Sequence, residues 1–220
     1  MLELGGLFPE GVVVEVATPE MWEAPVYPEE EVSILNAVPK RRREFAAGRN
    51  CARRALALLG VQDRPLPMGM DRDVLWPDGI VGSISHCDDL CAVAVARRDS
   101  AAGIGLDIER GGALESGVAS LICTPVEQAR LKDLPSRPRT SWPKLVFVAK
   151  ESVYKCVFPL LRTFLEFHEV EIDLSLEAAS FEATIRHPCM AKLGHARLRG
   201  RFVMTGDHVA CGVTLPPAAP

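Results

Sequence analysis

With 220 residues, 48% of them apolar, the chain carries enough hydrophobic material for one large domain or two small ones. A formal charge of −4 argues against nonspecific nucleic-acid binding and leaves room only for a local basic patch. No apolar run approaches the roughly 18 residues of a membrane span, no basic and apolar leader opens the chain, and the seven cysteines form no C-x-x-C pair; a cytoplasmic, single-chain protein with reduced thiols is expected, not a disulfide framework or a thiolate zinc site.

Residues 12–16 read as a strand, and 29–38 as a short acidic-led helix stopped at Pro39. From 40 to 59 the pattern is helical, with Phe45, Gly48, Ala52, Leu56 and Leu59 at three- and four-residue steps and Gly60 as the stop. Arg42, Arg49 and Arg53 fall within about 40° of one another on that wheel, which suits an anion such as phosphate or, equally, a solvated basic edge. The turn Trp76-Pro77-Asp78-Gly79 precedes strands at 80–85 and 91–97, and between them Ser85-His86-Cys87-Asp88-Asp89 offers a histidine that can meet a phosphate, do acid-base work or cap the turn. No G-x-S-x-G elbow accompanies it, so a hydrolase triad is not indicated; Walker and dinucleotide fingerprints are also missing.

The stretch Gly103-Ile104-Gly105-Leu106-Asp107-Ile108-Glu109 has the period of a strand. Asp107 and Glu109 share one face, Ile104, Leu106 and Ile108 the other, and the two glycines are read as leaving room for a ligand. Adjacent carboxylates repel, so the pair suits a hard divalent cation completed by phosphate oxygens, or else a solvated strand edge. Thr124-Pro125-Val126-Glu127 is a capping box that starts a helix running to about residue 134. A second helix starts after Ser141 and is expected to end at Phe158, before Pro159. On it Glu151 and Lys155 lie four apart on one face with Lys150 beside them, a reactive group or an ordinary ion pair. Ser152 and Lys155 match S-x-x-K without its companion motifs. Strands at 169–174, 181–186, 198–204 and 208–215 complete the chain before a Pro-rich end. Each half thus reads as helices followed by antiparallel strands, an α+β protein of two similar lobes, 1–108 and 109–220, with a cleft between them.

The order of these features, an Arg-bearing helix, Gly82-Ser83-Ile84-Ser85-His86-Cys87, the G-x-D-x-E strand and the F-x-x-K-E-S-x-Y-K helix over 147–155, resembles the Sfp-type 4'-phosphopantetheinyl transferases. It runs from about residue 40 to 167 and is nearest the enterobactin-type branch with its actinobacterial members. The resemblance implies lobes related by a pseudo-twofold axis and transfer of the phosphopantetheine arm of coenzyme A to a serine of an apo acyl, polyketide or peptidyl carrier, releasing adenosine 3',5'-bisphosphate. It implies Asp107, Glu109 and Glu151 as ligands of Mg²⁺, with Mn²⁺ as an alternative, Glu151 as base and Lys155 as the cation at the departing phosphate. Lys150 is implied at the pyrophosphate, Arg41, Arg49 and His86 at the coenzyme's 3'-phosphate, and Ser85 among the residues that bind coenzyme A; the helical wheel favours Arg42 over Arg41 at the 3'-phosphate. Relatives carry a lysine where this chain has Met68, a contact that Arg64 or Arg72 could replace. Residues 117–122 and the following helix with Arg130 and Lys132 are the expected carrier-docking face. A silent binding module and a Mg²⁺-dependent phosphohydrolase would use the same site.

Overall fold

A computed structural model describes residues 3–115, 117–136, 141–194 and 197–217. The first half is organised on one helix. It comprises β1 (Val13–Val16), α1 (Pro28–Glu31), α2 (Pro39–Leu58), β2 (Ile80–Cys87) and β3 (Leu90–Arg97). Proline supplies the first residue of α2, where no amide hydrogen is required. Cys51, Ala52, Ala55 and Leu56 recur on one face of α2 and pack on Ile80, Val93 and Val95 of an antiparallel sheet ordered β1-β3-β2. The helix expected over 29–38 is shorter: α1 ends at Glu31 and a single 3-10 turn follows. Val32, Leu35 and Val38 stay exposed, so no packing extends it.

The second half contains β4 (Gly103–Arg110), α3 (Val118–Ile122), α4 (Pro125–Lys132), α5 (Trp142–Leu161), β5 (Val170–Ser175), β6 (Ser180–Ile185), β7 (Arg197–Met204) and β8 (His208–Leu215). Its five strands are antiparallel in the order β4-β8-β7-β6-β5, and α5 lies against them with Leu145, Val148, Ala149, Val153 and Val157 buried. The capping box at Thr124 forms in both directions, Glu127 N–H to Thr124 Oγ1 at 3.2 Å and Thr124 N–H to Glu127 Oε2 at 2.7 Å. Contrary to expectation α5 passes through Pro159 to Leu161. Proline this near the C-terminus forfeits one helical hydrogen bond, and Arg162, left-handed at φ 49°, closes the helix with its N–H on Phe158 O. The loop read over 135–138 and the Pro-rich end lie partly outside the described residues.

The halves are α+β units of like design. In each, a 20-residue helix crosses a sheet and is fixed by a buried glutamate. Glu30 accepts from Arg53 of α2 at 2.7 Å, from Leu66 N–H at 2.8 Å and from Tyr27 N–H at 2.9 Å. Glu127 accepts from Lys150 of α5 at 2.8 Å, from Ile172 N–H at 2.6 Å and from Thr124 N–H. The expected division at 108/109 cuts through β4, whose eight residues all pair with β8. β4 is instead the seam. Ser83 Oγ accepts Leu106 N–H and Ser85 Oγ accepts Ile108 N–H, each at 3.0 Å, so two hydroxyls of β2 replace a backbone ladder between the sheets. Ile104, Leu106 and Ile108 bury their common face with Leu4, Leu7, Phe8 and the alanines of β3.

Candidate active site

The opposite face of β4 carries Gly103, Gly105, Asp107 and Glu109, and it meets α5. The glycines do not make room for a ligand, as the sequence suggested. A Cβ on Gly105 would stand 1.8 Å from Ser152 O, and one on Gly103 2.6 Å from Cys156 O, so hydrogen at these positions is what lets the helix backbone lie on the strand. That contact carries Glu151 and Lys155 to the carboxylate end of β4.

There Lys155 Nζ donates to Asp107 Oδ1 at 2.6 Å and to Ser85 Oγ at 3.2 Å, while Ser85 Oγ donates to Asp107 Oδ1 at 3.0 Å. Asp107 is 5% exposed, and its second oxygen, Oδ2, is buried without a hydrogen-bond partner. Burial, then the charge on Asp107, push the Glu109 carboxyl above the usual carboxylate range. Glu151 is raised for the same reasons, with Lys155 opposing and Glu109 adding to the rise. Three carboxyls thus gather around one lysine with more negative charge than it can balance. Lys144, which the sequence reading passed over, stands 3.9 Å from Glu109. Its place on the wheel was legible: Lys144, Glu151 and Lys155 are spaced by seven and four and fall on one side of α5.

Lys150 is not in this group. It is 2% exposed on the far side of α5, where its ammonium donates at 2.8 Å to Ile122 O, Phe167 O and Glu127 Oε2. Five residues separate it from Lys155, about 140° of helix, so one side chain cannot follow the other into the cleft. Ser85 is also redirected: its hydroxyl is committed to Ile108, Asp107 and Lys155 inside the seam.

At the neighbouring end of β2, Arg41 Nη1 donates to His86 Nε2 at 2.8 Å, and Glu44 lies 3.8 Å from His86 Nδ1. Burial lowers the His86 pKa, Glu44 resists and Arg41 adds to the fall. The alternative, Arg42, turns back to the carbonyls of Leu35 and Ala37, which makes it a cap for the preceding turn. Arg49 is buried over the Phe45 ring with Nε on Leu66 O, and Arg53 serves Glu30. Met68 lines a cavity of about 290 Å³ with Arg41, Phe45 and Arg72. Arg64 lies in a different depression, beside Pro65 and Trp76. A second cleft of about 240 Å³ runs between the lobes from Lys155, walled by Trp76, Gly82, Ile84, Tyr154 and Phe158. Its signal in the sequence was Tyr154 and Phe158, four apart on α5 beside Lys155. On the expected docking face Arg130 is half committed, 3.2 Å from Glu171 and 3.7 Å from Asp173, whereas Lys132 is exposed.

Residues 29–96 match the 4'-phosphopantetheinyl transferase N-terminal domain, and residues 103–207 match the 4'-phosphopantetheinyl transferase superfamily. The chain belongs to that superfamily. It is 40% identical to 4'-phosphopantetheinyl transferase Svp of Streptomyces mobaraensis, over 84% of this chain and 77% of that one. It is 35% identical to 4'-phosphopantetheinyl transferase PptT of Mycobacterium tuberculosis, over 81% and 80%. Enterobactin synthase component D of Salmonella typhimurium is 36% identical across 56% of this chain and 50% of its own. The protein is therefore a transferase that moves the phosphopantetheine arm of coenzyme A to carrier proteins. Among the described residues no helix is long and apolar enough to cross a membrane.

Proposed function

We propose that Asp107, Glu109 and Glu151 hold Mg²⁺, or Mn²⁺ in its place, and that Lys155 works beside the ion on the pyrophosphate of coenzyme A. The observation that supports this is Asp107 Oδ2, buried and unpartnered next to two carboxyls whose ionised forms are disfavoured by burial and then by its own charge. An orphan acceptor costs about 1–3 kcal/mol, and an all-oxygen donor set suits a hard cation. The oxygens of the three residues do not all lie within 4.8 Å of one another, so a side chain would have to turn inward or one residue would have to reach the ion through a water that it keeps. When bound, the metal neutralises charge developing at the transferred phosphoryl group.

The remaining work falls to side chains of the cleft. Glu151, with its carboxyl made more basic by burial and by Asp107, accepts the proton of the carrier serine. Lys155, steadied by Asp107 and Ser85, neutralises the departing adenosine 3',5'-bisphosphate. Arg41 and His86 receive the 3'-phosphate, with the charge of buried Arg49 behind them. The cleft walled by Trp76, Tyr154 and Phe158 takes the pantetheine arm, with its methyl and methylene groups against the aromatic walls. The carrier docks over α3 and α4, where Leu121 is 71% and Val126 48% exposed and Lys132 offers charge to an acidic partner. The enzyme is taken to act as a single chain in the cytoplasm.

Intact-mass spectrometry tests the reading. An apo acyl carrier and an apo peptidyl carrier are each incubated with coenzyme A and the enzyme, with Mg²⁺ or with chelator, and with Glu151→Gln as the comparison. A phosphopantetheine-sized gain that needs Mg²⁺ and is lost in the variant supports these assignments. A gain indifferent to chelator, or retained in full by Glu151→Gln, refutes them, and bisphosphate released without a carrier would reveal a hydrolase.

A further inference from the structure

At the same end of β4, one residue past Glu109, three groups from the β2–β3 hairpin and β8 converge. Cys87 pairs with Leu90 to close the β2–β3 hairpin, which leaves Asp88-Asp89 as a two-residue turn. His208 opens β8 opposite Arg110 of β4. His208 Nε2 lies 3.0 Å from Asp89 Oδ1, Cys87 Sγ lies 3.8 Å from the same oxygen, and all three atoms fall within 4.8 Å of one another. We propose that Cys87, Asp89 and His208 bind a thiophilic divalent cation such as Zn²⁺, at a site separate from the carboxylates of the transfer cleft.

The donor set is borderline-soft, one sulfur, one imidazole nitrogen and one carboxylate oxygen, which favours zinc over magnesium. Zinc bonds of about 2.0–2.3 Å in a tetrahedron put ligand atoms roughly 3.3–3.6 Å apart. The spacings here straddle that range, so small side-chain rotations suffice and the hairpin backbones stay in place. A fourth position is left to water.

Two features make the cluster unlike the other thiols. Six of the seven cysteines are buried, and Cys87 alone is partly open to solvent. Arg110 now contributes the positive charge, 3.3 Å from Asp89 Oδ1, but its side chain is 52% exposed and can turn outward when a cation arrives. Burial holds the Cys87 thiol up at about 11, so binding displaces its proton to solvent and the metal-bound form is the thiolate. The bound ion would join the β2–β3 hairpin of one lobe to the β7–β8 hairpin of the other, adjacent to the strand end that presents Glu109.

Cobalt(II) titration of the full chain, with Mg²⁺ present throughout, tests this with a sulfur-specific signal. Cobalt on the carboxylates gives no thiolate charge-transfer band, whereas cobalt at Cys87 does. One equivalent should produce the band, Cys87→Ser should abolish it, His208→Gln should weaken binding at least tenfold, and Zn²⁺ should displace the colour. Thermal unfolding of each metal-free variant verifies that the fold survives, and Zn²⁺ should raise the midpoint of the unaltered protein only. Absence of the band, or a band that persists in Cys87→Ser or is indifferent to His208→Gln, overturns the proposal.

Discussion

Two lysines five residues apart on α5 each meet a carboxylate, and they do opposite things. Lys150 and Glu127 are both 1% exposed by side chain, and every polar atom between them is used: the ammonium has three acceptors, the carboxylate takes two amides as well as the lysine. The side chains of Lys155 and Asp107 are 30% and 7% exposed, and the pair leaves Asp107 Oδ2 buried with nothing to accept from. A buried ion pair is tolerated when its remaining donors and acceptors are matched. The first pair meets that condition and fixes α5 to α4 and β5. The second fails it, beside two further carboxyls, and a deficit of positive charge is what a substrate with a metal ion can fill. Completeness of hydrogen bonding, more than distance or burial, separates the fastening from the site.

The largest expected effect comes from breaking the complete pair. Lys150→Met should cost about 3–5 kcal/mol of stability, because it strands the Glu127 charge in the core. Denaturant unfolding measures this, and adding Glu127→Gln should recover part of the loss. If Lys150→Met left the midpoint unchanged while raising the KM for coenzyme A, Lys150 would belong to the cleft after all. Next is Asp107→Asn, expected to lower kcat by about 10²–10³-fold, the scale of removing a key charge-stabilising group. Its unfolding midpoint should hardly move, since the neutral amide relieves repulsion with Glu109 and Glu151 while weakening the hold on Lys155. A large stability loss with full activity in the folded fraction would reverse the comparison.

Gly105→Ala would move the two pairs together. Its methyl would fall 1.8 Å from Ser152 O, a backbone atom that cannot turn aside, so α5 must lift from β4. Overpacking of this kind costs about 1–3 kcal/mol, and unlike the other two changes it should reduce stability and turnover in the same protein. Unaltered unfolding and kinetics would mean that the close approach of strand and helix is not what sets the site.

Much of this arrangement is legible in the amino-acid sequence. Period two placed Asp107 with Glu109, a four-residue step placed Glu151 with Lys155, and the order of motifs supplied the reason to join them. The seam was not legible, because nothing in Gly82-Ser83-Ile84-Ser85-His86 says that two hydroxyls will accept amides from a strand over twenty positions away. The same limit misdirected Ser85 and the glycines, whose roles depend on what approaches them. Lys150 is a different case: the family resemblance implies it at the pyrophosphate, whereas its offset of about 140° from Lys155 on the wheel turns it away from the cleft. The periodicity of α2 does not separate Arg41 from Arg42, because the turn at Leu35 and Ala37 that captures Arg42 lies outside the helix.

The smallest expected effect concerns the cavity beside Arg41, which already has Glu44 at 3.5 Å, and Arg72. Met68 lines its cavity between Arg41 and Arg72, and among the described residues Arg72 has no ion pair. A lysine at 68 would bring a third cation to a site proposed to hold a phosphate, and it would also be repelled by the two arginines when no coenzyme is bound. An exposed charge contact is worth about 0.2–1 kcal/mol, and the mutual repulsion subtracts from it. Met68→Lys should therefore lower the KM for coenzyme A by no more than about fivefold and leave kcat alone, with the gain shrinking as salt is raised. A KM that does not fall, with kcat also unchanged, would mean that Arg41 and Arg72 already supply what the lysine would bring.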